Sequence, residues 1–216
     1  MKDPKAFILE NTEILVPPHV PEIRLRLASE VHDLWQKIES ELEEIGLPPP
    51  FWAFAWAGGQ GLARYVLDHP ECVAGRRVVD FASGSGLVAI AAARAGAAFV
   101  LAADIDPFSG VAAKLNADLN GVTISFTEKD LMGTTPDCDV LLAGDVFYDA
   151  AWAAALLPWF ERLTARGITI VVGDPGRAYC PTERLQQLAE YQVPVTRVLE
   201  DSEVKRTTVW RFAGHD

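Results

Sequence analysis

Three features of the sequence predict an α/β fold built on a seven-stranded, mostly parallel sheet with an antiparallel last strand and an N-terminal helical appendage. From Gly75 onward, apolar runs of strand length alternate with helix-length segments. That alternation is the pattern of a parallel sheet covered on both faces. Val78-Val79-Asp80-Phe81 runs into Ala82-Ser83-Gly84-Ser85-Gly86 and then into the alanine-rich run from Leu87 to Ala95, which reads as strand, backbone-exposing turn and helix. The last two strand-like runs are separated only by Glu200-Asp201-Ser202-Glu203. A link of that length permits an antiparallel hairpin and hardly allows a right-handed parallel crossover.

Taken in order, residues 1–28 contain Val16-Pro17-Pro18 and Pro21 and read as extended and irregular. Ser29 is a plausible N-cap for a helix running to about Glu44, with Val31, Leu34, Trp35, Ile38, Leu42 and Ile45 at helical spacing. Gly46 and the run Pro48-Pro49-Pro50 stop it. The boundary falls there, giving an N-terminal extended segment and helix (1–48) and a main domain (49–216). Gly58-Gly59-Gln60-Gly61 precedes a helix over about 62–68. The strands that follow are expected at 77–81, 99–103, 123–126, 140–143, 168–172, 195–199 and 207–212. The helices between them are expected at 87–95, 107–119, 152–163 and 182–191, with the link from third to fourth strand short and its helix degraded or absent.

Of 216 residues, 50% are apolar, enough for one sizeable domain plus an appendage. No apolar run approaches a bilayer span. Asp3 and Glu10 flank too short an apolar stretch for a signal peptide and argue against an acid-poor presequence, so the expectation is a cytoplasmic protein without a membrane partner. A net charge of −11 argues against nucleic acid and suits a cationic partner. Cys72, Cys138 and Cys180 form no CxxC pair, and His19, His32, His69 and His215 are dispersed. No metal site is expected.

The chemistry starts at the glycine turn. Gly84 and Gly86 let the backbone approach a ligand, and the following helix start offers N–H groups to a carboxylate or phosphate. The turn alone also fits the GxGxxA dinucleotide pattern, or a turn that binds nothing. Asp104, at the end of the second strand, suits the two hydroxyls of a ribose. Capping the next helix is its other reading, but Asp106, directly before Pro107, is the better cap. Asp130 suits an adenine amino group, with Leu131 and Met132 flanking the ring; a solvated turn residue fits it as well. The fourth strand runs into Asp145-Val146-Phe147-Tyr148-Asp149. This sets a carboxylate and an aromatic ring at the carboxyl edge of the sheet, where open α/β sheets bind ligands. An enzyme that orients an amine has use for both, since the ring face holds the cationic form. An aromatic packing residue and a helix cap are the plainer reading.

Together Asp80-Phe81-Ala82-Ser83-Gly84-Ser85-Gly86, Asp104-Ile105-Asp106-Pro107, Asn116 to Asn120-Gly121 and Asp145-Val146-Phe147-Tyr148 resemble the Rossmann-like, seven-β-strand methyltransferases that use S-adenosylmethionine. More narrowly, Asp145-Val146-Phe147-Tyr148 matches the DxxY motif of the protein-lysine methyltransferases. The segment Pro50-Phe51-Trp52-Ala53-Phe54-Ala55-Trp56-Ala57-Gly58-Gly59-Gln60 is similar to that preceding the core in the electron transfer flavoprotein β-subunit lysine methyltransferases. The resemblance covers about residues 45–212. It departs at Ala82, where the family has the first loop glycine; alanine does not take positive φ at low cost.

The resemblance implies S-adenosyl-L-methionine as cofactor, held through Trp56, Asp80, Gly84, Ser85, Gly86, Asp104, Ile105, Asp130 and Leu131. Asp104 would take the ribose, the Gly84/Gly86 turn the methionine part, and Trp56 would help to close the pocket. Asp145 and Tyr148 would face the substrate as catalytic residues. The implied substrate is a lysine of the electron transfer flavoprotein β-subunit, with a ribosomal protein second. Competing classes are a methyltransferase for glutamine or a small-molecule amine, an NAD(P)-dependent oxidoreductase, and a module that has kept the fold without catalysis. Enzymes for planar amide nitrogens usually carry Asn-Pro-Pro-Tyr where this chain has Asp-Val-Phe-Tyr.

Overall fold

The computed structural model describes residues 3–28, 49–195 and 202–213. The helix expected from Ser29 lies outside them. In chain order the elements are α1 (Pro4–Asn11), β1 (Glu13–Leu15), β2 (Leu25–Leu27), α2 (Ala57–Asp68), β3 (Arg77–Phe81), α3 (Leu87–Arg94), β4 (Phe99–Ala103), α4 (Pro107–Asn120), β5 (Ser125–Thr127), β6 (Val140–Gly144), α5 (Ala150–Thr164), β7 (Thr169–Asp174), β8 (Leu185–Pro194) and β9 (Val204–Phe212).

Seven strands form one sheet in the order β5-β4-β3-β6-β7-β9-β8. Pairings from β5 through β7 are parallel. β9 runs antiparallel to both β7 and β8, so the last strand alone is reversed, as its short link requires. The chain builds outward from β3 through β4 to β5, then returns to β6 on the other side of β3. This reversal of direction opens a crevice above the carboxyl ends of β3 and β6, where ligands bind in such sheets.

Side chains alternate across the sheet. Val78, Val100, Val140, Leu142 and Val171 face α2 and α3 through Leu62, Val66, Leu87 and Ile90. Val79, Phe81, Leu141, Ala143 and Val172 face α5 through Leu156, Trp159, Phe160 and Leu163. Both faces are covered, so the central strands are mainly apolar on both sides rather than alternating, with Asp80 the exception in β3.

Three departures from the sequence reading have identifiable causes. Residues 3–28 are not irregular. Asp3 caps α1 by accepting from the Lys5 N–H, with Pro4 in the first turn. β1 and β2 pair antiparallel, and Pro17, Pro18 and Pro21 are confined to the link between them. Side chains tie that segment down: the Arg26 and Arg24 N–H groups donate to Asn116 (2.7 Å) and Asn120 (3.0 Å) of α4, and the His19 N–H to Gln60 (3.2 Å) of α2. Val20, Ile23, Leu25 and Leu27 then bury against the first face.

Helix α2 begins at Ala57 and takes in the glycines read as its preamble. A Cβ at Gly58 would lie 2.4 Å from the Gly173 carbonyl oxygen, and one at Gly61 would lie 2.5 Å from Thr207. Close packing on β6, β7 and β9 outweighs a helix-propensity loss of ~1 kcal/mol per glycine.

The expected helix 182–191 is a 3-10 turn followed by strand β8, and Val195 lies beyond that strand, with 196–199 outside the described residues. Leu185, Leu188 and Tyr191 recur at helical spacing because a bulge between Gln187 and Ala189 shifts the strand's alternation. The bulge imitates a helix period, and pairing with β9 overrides propensity.

Candidate active site

A cleft of about 580 Å³ opens above the carboxyl ends of β3, β4 and β6, within the range of small-molecule sites. Its floor is the glycine turn. Ala82, Gly84 and Gly86 all have positive φ (55°, 48° and 79°), so the alanine here carries the strain that a glycine would avoid. Asp80 is buried beneath the turn and accepts from the Ala89 N–H of α3 at 2.9 Å. Burial, opposed by that hydrogen bond and aided by the nearby Asp104 charge, pushes its carboxyl up to about 8. The Ser83 hydroxyl lines the cleft, buried and without a hydrogen-bond partner. The Ser85 carbonyl accepts from Asn116 at 2.9 Å, which links the turn to the β1–β2 segment through one side chain.

Asp104 closes the turn against β4. One oxygen accepts from the Gly84 N–H (2.8 Å), the other from the Asp106 N–H (3.0 Å). Each carboxylate oxygen retains capacity for a hydroxyl donor. Asp106 caps α4 at the Phe108 N–H, as expected, and burial raises it to about 6. At the far wall Asp130 is exposed and accepts from the Met132 N–H, beside Leu131 and Ile105. Met132 packs into the second core instead of lining the cleft.

The edge after β6 divides its side chains. Phe147 is fully buried against Phe160, and Asp149 caps α5 at the Trp152 N–H. Asp145 and Tyr148 line the cleft. Asp145 has φ +58°. One of its oxygens accepts from the Gly59 N–H (2.9 Å), the other from Arg177 Nη2 (2.6 Å) and Nε (3.1 Å). Gly58 makes room for it: a Cβ there would sit 2.5 Å from the carboxylate. Tyr148 is 55% exposed, its ring 6.0 Å from Phe51. Partial burial raises its phenol, helped by Asp149 and Asp104. Trp56 donates to the Phe51 carbonyl at 3.0 Å, and the Arg177 guanidinium lies 5.7 Å from its ring centroid.

Thus Trp56, Asp80, Gly84, Ser85, Asp104, Ile105, Asp130, Leu131, Asp145 and Tyr148 all border one cleft. Gly86 does not. Its Cβ would lie 2.9 Å from that of Ala113, so its work is turn geometry and helix packing. Arg177, Phe51 and the Ser83 hydroxyl are cleft groups that sequence reading did not single out. The signal for Arg177 was weak: a cation in a Pro-Gly turn at the carboxyl end of β7. Among the described residues no cluster of His, Cys, Asp or Glu suits a metal ion, and no helix is long and apolar enough to cross a membrane.

The site's character fits S-adenosylmethionine. It offers acceptors for hydroxyls at Asp104, an unpartnered buried hydroxyl at Ser83, and a turn whose Gly84 has nothing nearer than 3.7 Å to a built Cβ.

A family model described as ribosomal protein L11 methyltransferase (PrmA) matches residues 65–147. The chain is 41% identical to the electron transfer flavoprotein beta subunit lysine methyltransferase of Xenopus laevis, across 97% of this chain and 87% of that protein. Among solved structures, the ribosomal protein L11 methylase of Lactobacillus delbrueckii subsp. bulgaricus has a TM-score of 0.52 at 23% identity, covering 79% of this chain and 83% of that one. The N-methyltransferase NodS of Bradyrhizobium japonicum in complex with S-adenosyl-l-homocysteine has a TM-score of 0.53 at 16% identity, covering 82% and 97%. These structures share the fold.

Proposed function

This chain belongs to the electron transfer flavoprotein beta subunit lysine methyltransferase family, and from that premise we propose that it transfers methyl groups from S-adenosylmethionine to lysine side chains of an electron transfer flavoprotein β-subunit. The observation that carries this reading is the pairing of Asp145 and Tyr148 on the wall of a cleft whose floor is the Asp104-bound glycine turn.

Bound S-adenosylmethionine supplies an electrophilic methyl on a sulfonium. Asp104 would accept from the ribose hydroxyls. The Ser83 hydroxyl and the turn would hold the methionine portion, Asp130 and Leu131 the adenine end, and Trp56 would close the cleft. Asp145 would accept a hydrogen bond from the target amine and so orient the nitrogen lone pair for attack. Phe51 and Tyr148 form the rim of the lysine channel, where ring faces favour the cationic product. A lysine with a pKa of ~10.4 is neutral in only about one molecule in 2,500 at pH 7. Alignment of that rare form is therefore the residues' main contribution.

The match to the L11 methyltransferase model ends at residue 147. It covers the cofactor floor but stops short of Tyr148 and omits the segment around Trp56, so it supports the cofactor more than a ribosomal substrate. The test is incubation with tritiated cofactor and purified β-subunit or ribosomal protein L11. Label on the β-subunit is expected; label on L11 alone would move the substrate. Titration with S-adenosylhomocysteine and with a dinucleotide separates the oxidoreductase class, and only the former should bind.

A further inference from the structure

We infer that Arg177 is a positioning residue that renders the acid of the amine site electrically neutral, so that the target lysine is held as its free base. This rests on the reading of the cleft as a lysine methyltransferase site.

An isolated carboxylate beside a lysine favours the ammonium form, which has no lone pair to attack with. Asp145 alone would therefore deepen the scarcity of neutral amine. Arg177 cancels that charge at source, with Nη2 and Nε both on one carboxylate oxygen. One carboxylate oxygen accepts more than one N–H, as this one does from Arg177, so the same acid can take the N–H of an amine. It then orients a neutral amine without stabilising a charged one.

The pair is built into the fold. Asp174 is buried, and one of its oxygens accepts from both the Gly176 N–H (2.7 Å) and the Arg177 N–H (2.8 Å). This fixes the turn that carries Arg177. The Trp56 ring lies over the guanidinium, and side-chain exposure is 20% for Arg177 and 11% for Asp145. Low exposure strengthens the interaction relative to a surface pair.

Among the described residues, the other charged groups around the cleft do not substitute for Arg177. The β3 turn contributes Asp80, raised by burial. The end of β4 contributes Asp104 and Asp106, and the loop after β5 Lys129 and Asp130, Lys129 being next in sequence to an acid. After β6 come Tyr148 and Asp149; Asp174 ends β7, and Cys180 follows in the loop, its thiol raised by burial. The segment 51–60 carries no ionisable side chain.

The experiment compares wild type, Arg177→Gln and Arg177→Lys. It uses pH profiles of methyl transfer to the β-subunit, and isothermal titration of the β-subunit into S-adenosylhomocysteine-loaded protein in buffers of different ionisation enthalpy. The acid limb of kcat reports the amine within the complex, whereas that of kcat/KM reports the free lysine. In Arg177→Gln the kcat limb should move to higher pH by about one unit or more, lowering kcat about tenfold at neutral pH, while the kcat/KM limb stays. Fewer protons should be released on substrate binding than in wild type. Arg177→Lys should keep the wild-type limb, and it answers the question if Arg177→Gln fails to fold. An equal fall in kcat at every pH for both variants, or unchanged proton release, overturns the inference and leaves a structural role. No transfer by the wild-type protein overturns the functional reading itself, and this inference with it.

Discussion

On the cofactor side of the cleft Asp80 reaches the Ala89 N–H across nine residues of sequence, and Asp104 reaches that of Gly84 across 20. On the substrate side Asp145 reaches Gly59 across 86 residues and Arg177 across 32. The first is a local device: two successive strands with the turn and helix between them, whose acids satisfy backbone donors of that one unit. The second exists only when α2 docks on β6 and β7 through glycines at 58, 59, 144 and 173. The proposed cofactor floor is therefore a property of a sequence motif, whereas the proposed amine site is a property of tertiary packing.

Separating the two sides breaks or sharpens that comparison. Asp145→Asn should lower kcat at least ~100-fold, since alignment of the amine is lost, with S-adenosylhomocysteine affinity unchanged in calorimetry. Asparagine tolerates the left-handed backbone, so the fold should persist.

Gly173→Ala should destabilise the protein by about 3 kcal/mol in urea unfolding. Its Cβ would meet the Gly58 carbonyl oxygen, a backbone atom unable to step aside. Methyl transfer should fall further than cofactor binding, because α2 carries the amide that holds Asp145.

Asp104→Ala should weaken S-adenosylhomocysteine binding about 100-fold, the loss of two charge-assisted hydrogen bonds at ~1.5 kcal/mol each. Equal loss in Asp145→Asn would erase the distinction between the sides.

Asp80 makes a pH prediction. Its carboxyl is near its ordinary value in the unfolded chain and at about 8 in the fold. The folded state thus holds a proton that the unfolded state has released. The group's stabilising contribution is present at low pH and is lost as pH rises from about 4 through about 8. Thermal unfolding should show Asp80→Asn gaining on wild type across that window and running parallel above it. The smallest effect is expected at Ala82, with φ +55°. Ala82→Gly should stabilise by about 0.5 kcal/mol, relief of left-handed strain outweighing the added chain entropy.

The same division explains what was legible in the sequence. β3 and β4 fall at the expected residues 77–81 and 99–103, because these strands are largely buried on both faces and their apolar runs are broken only by Asp80. The Asp106 cap and its proline were readable within three residues. α1 and its hairpin went unread because prolines dominated the stretch, while the asparagines that hold it lie about 90 residues away. β8 mimicked a helix through its bulge. Arg177 had only the weak local signal of its Pro-Gly turn, since its meaning comes from an acid 32 residues earlier and a tryptophan on another segment.

The most direct test is mass spectrometry of electron transfer flavoprotein β-subunit after incubation with S-adenosylmethionine and either wild-type protein or Asp145→Asn, both first shown to bind S-adenosylhomocysteine alike. Methyl increments on lysine with wild type and none with the variant are the predicted result. An unmodified β-subunit with wild type, or equal methylation by the variant, would contradict it.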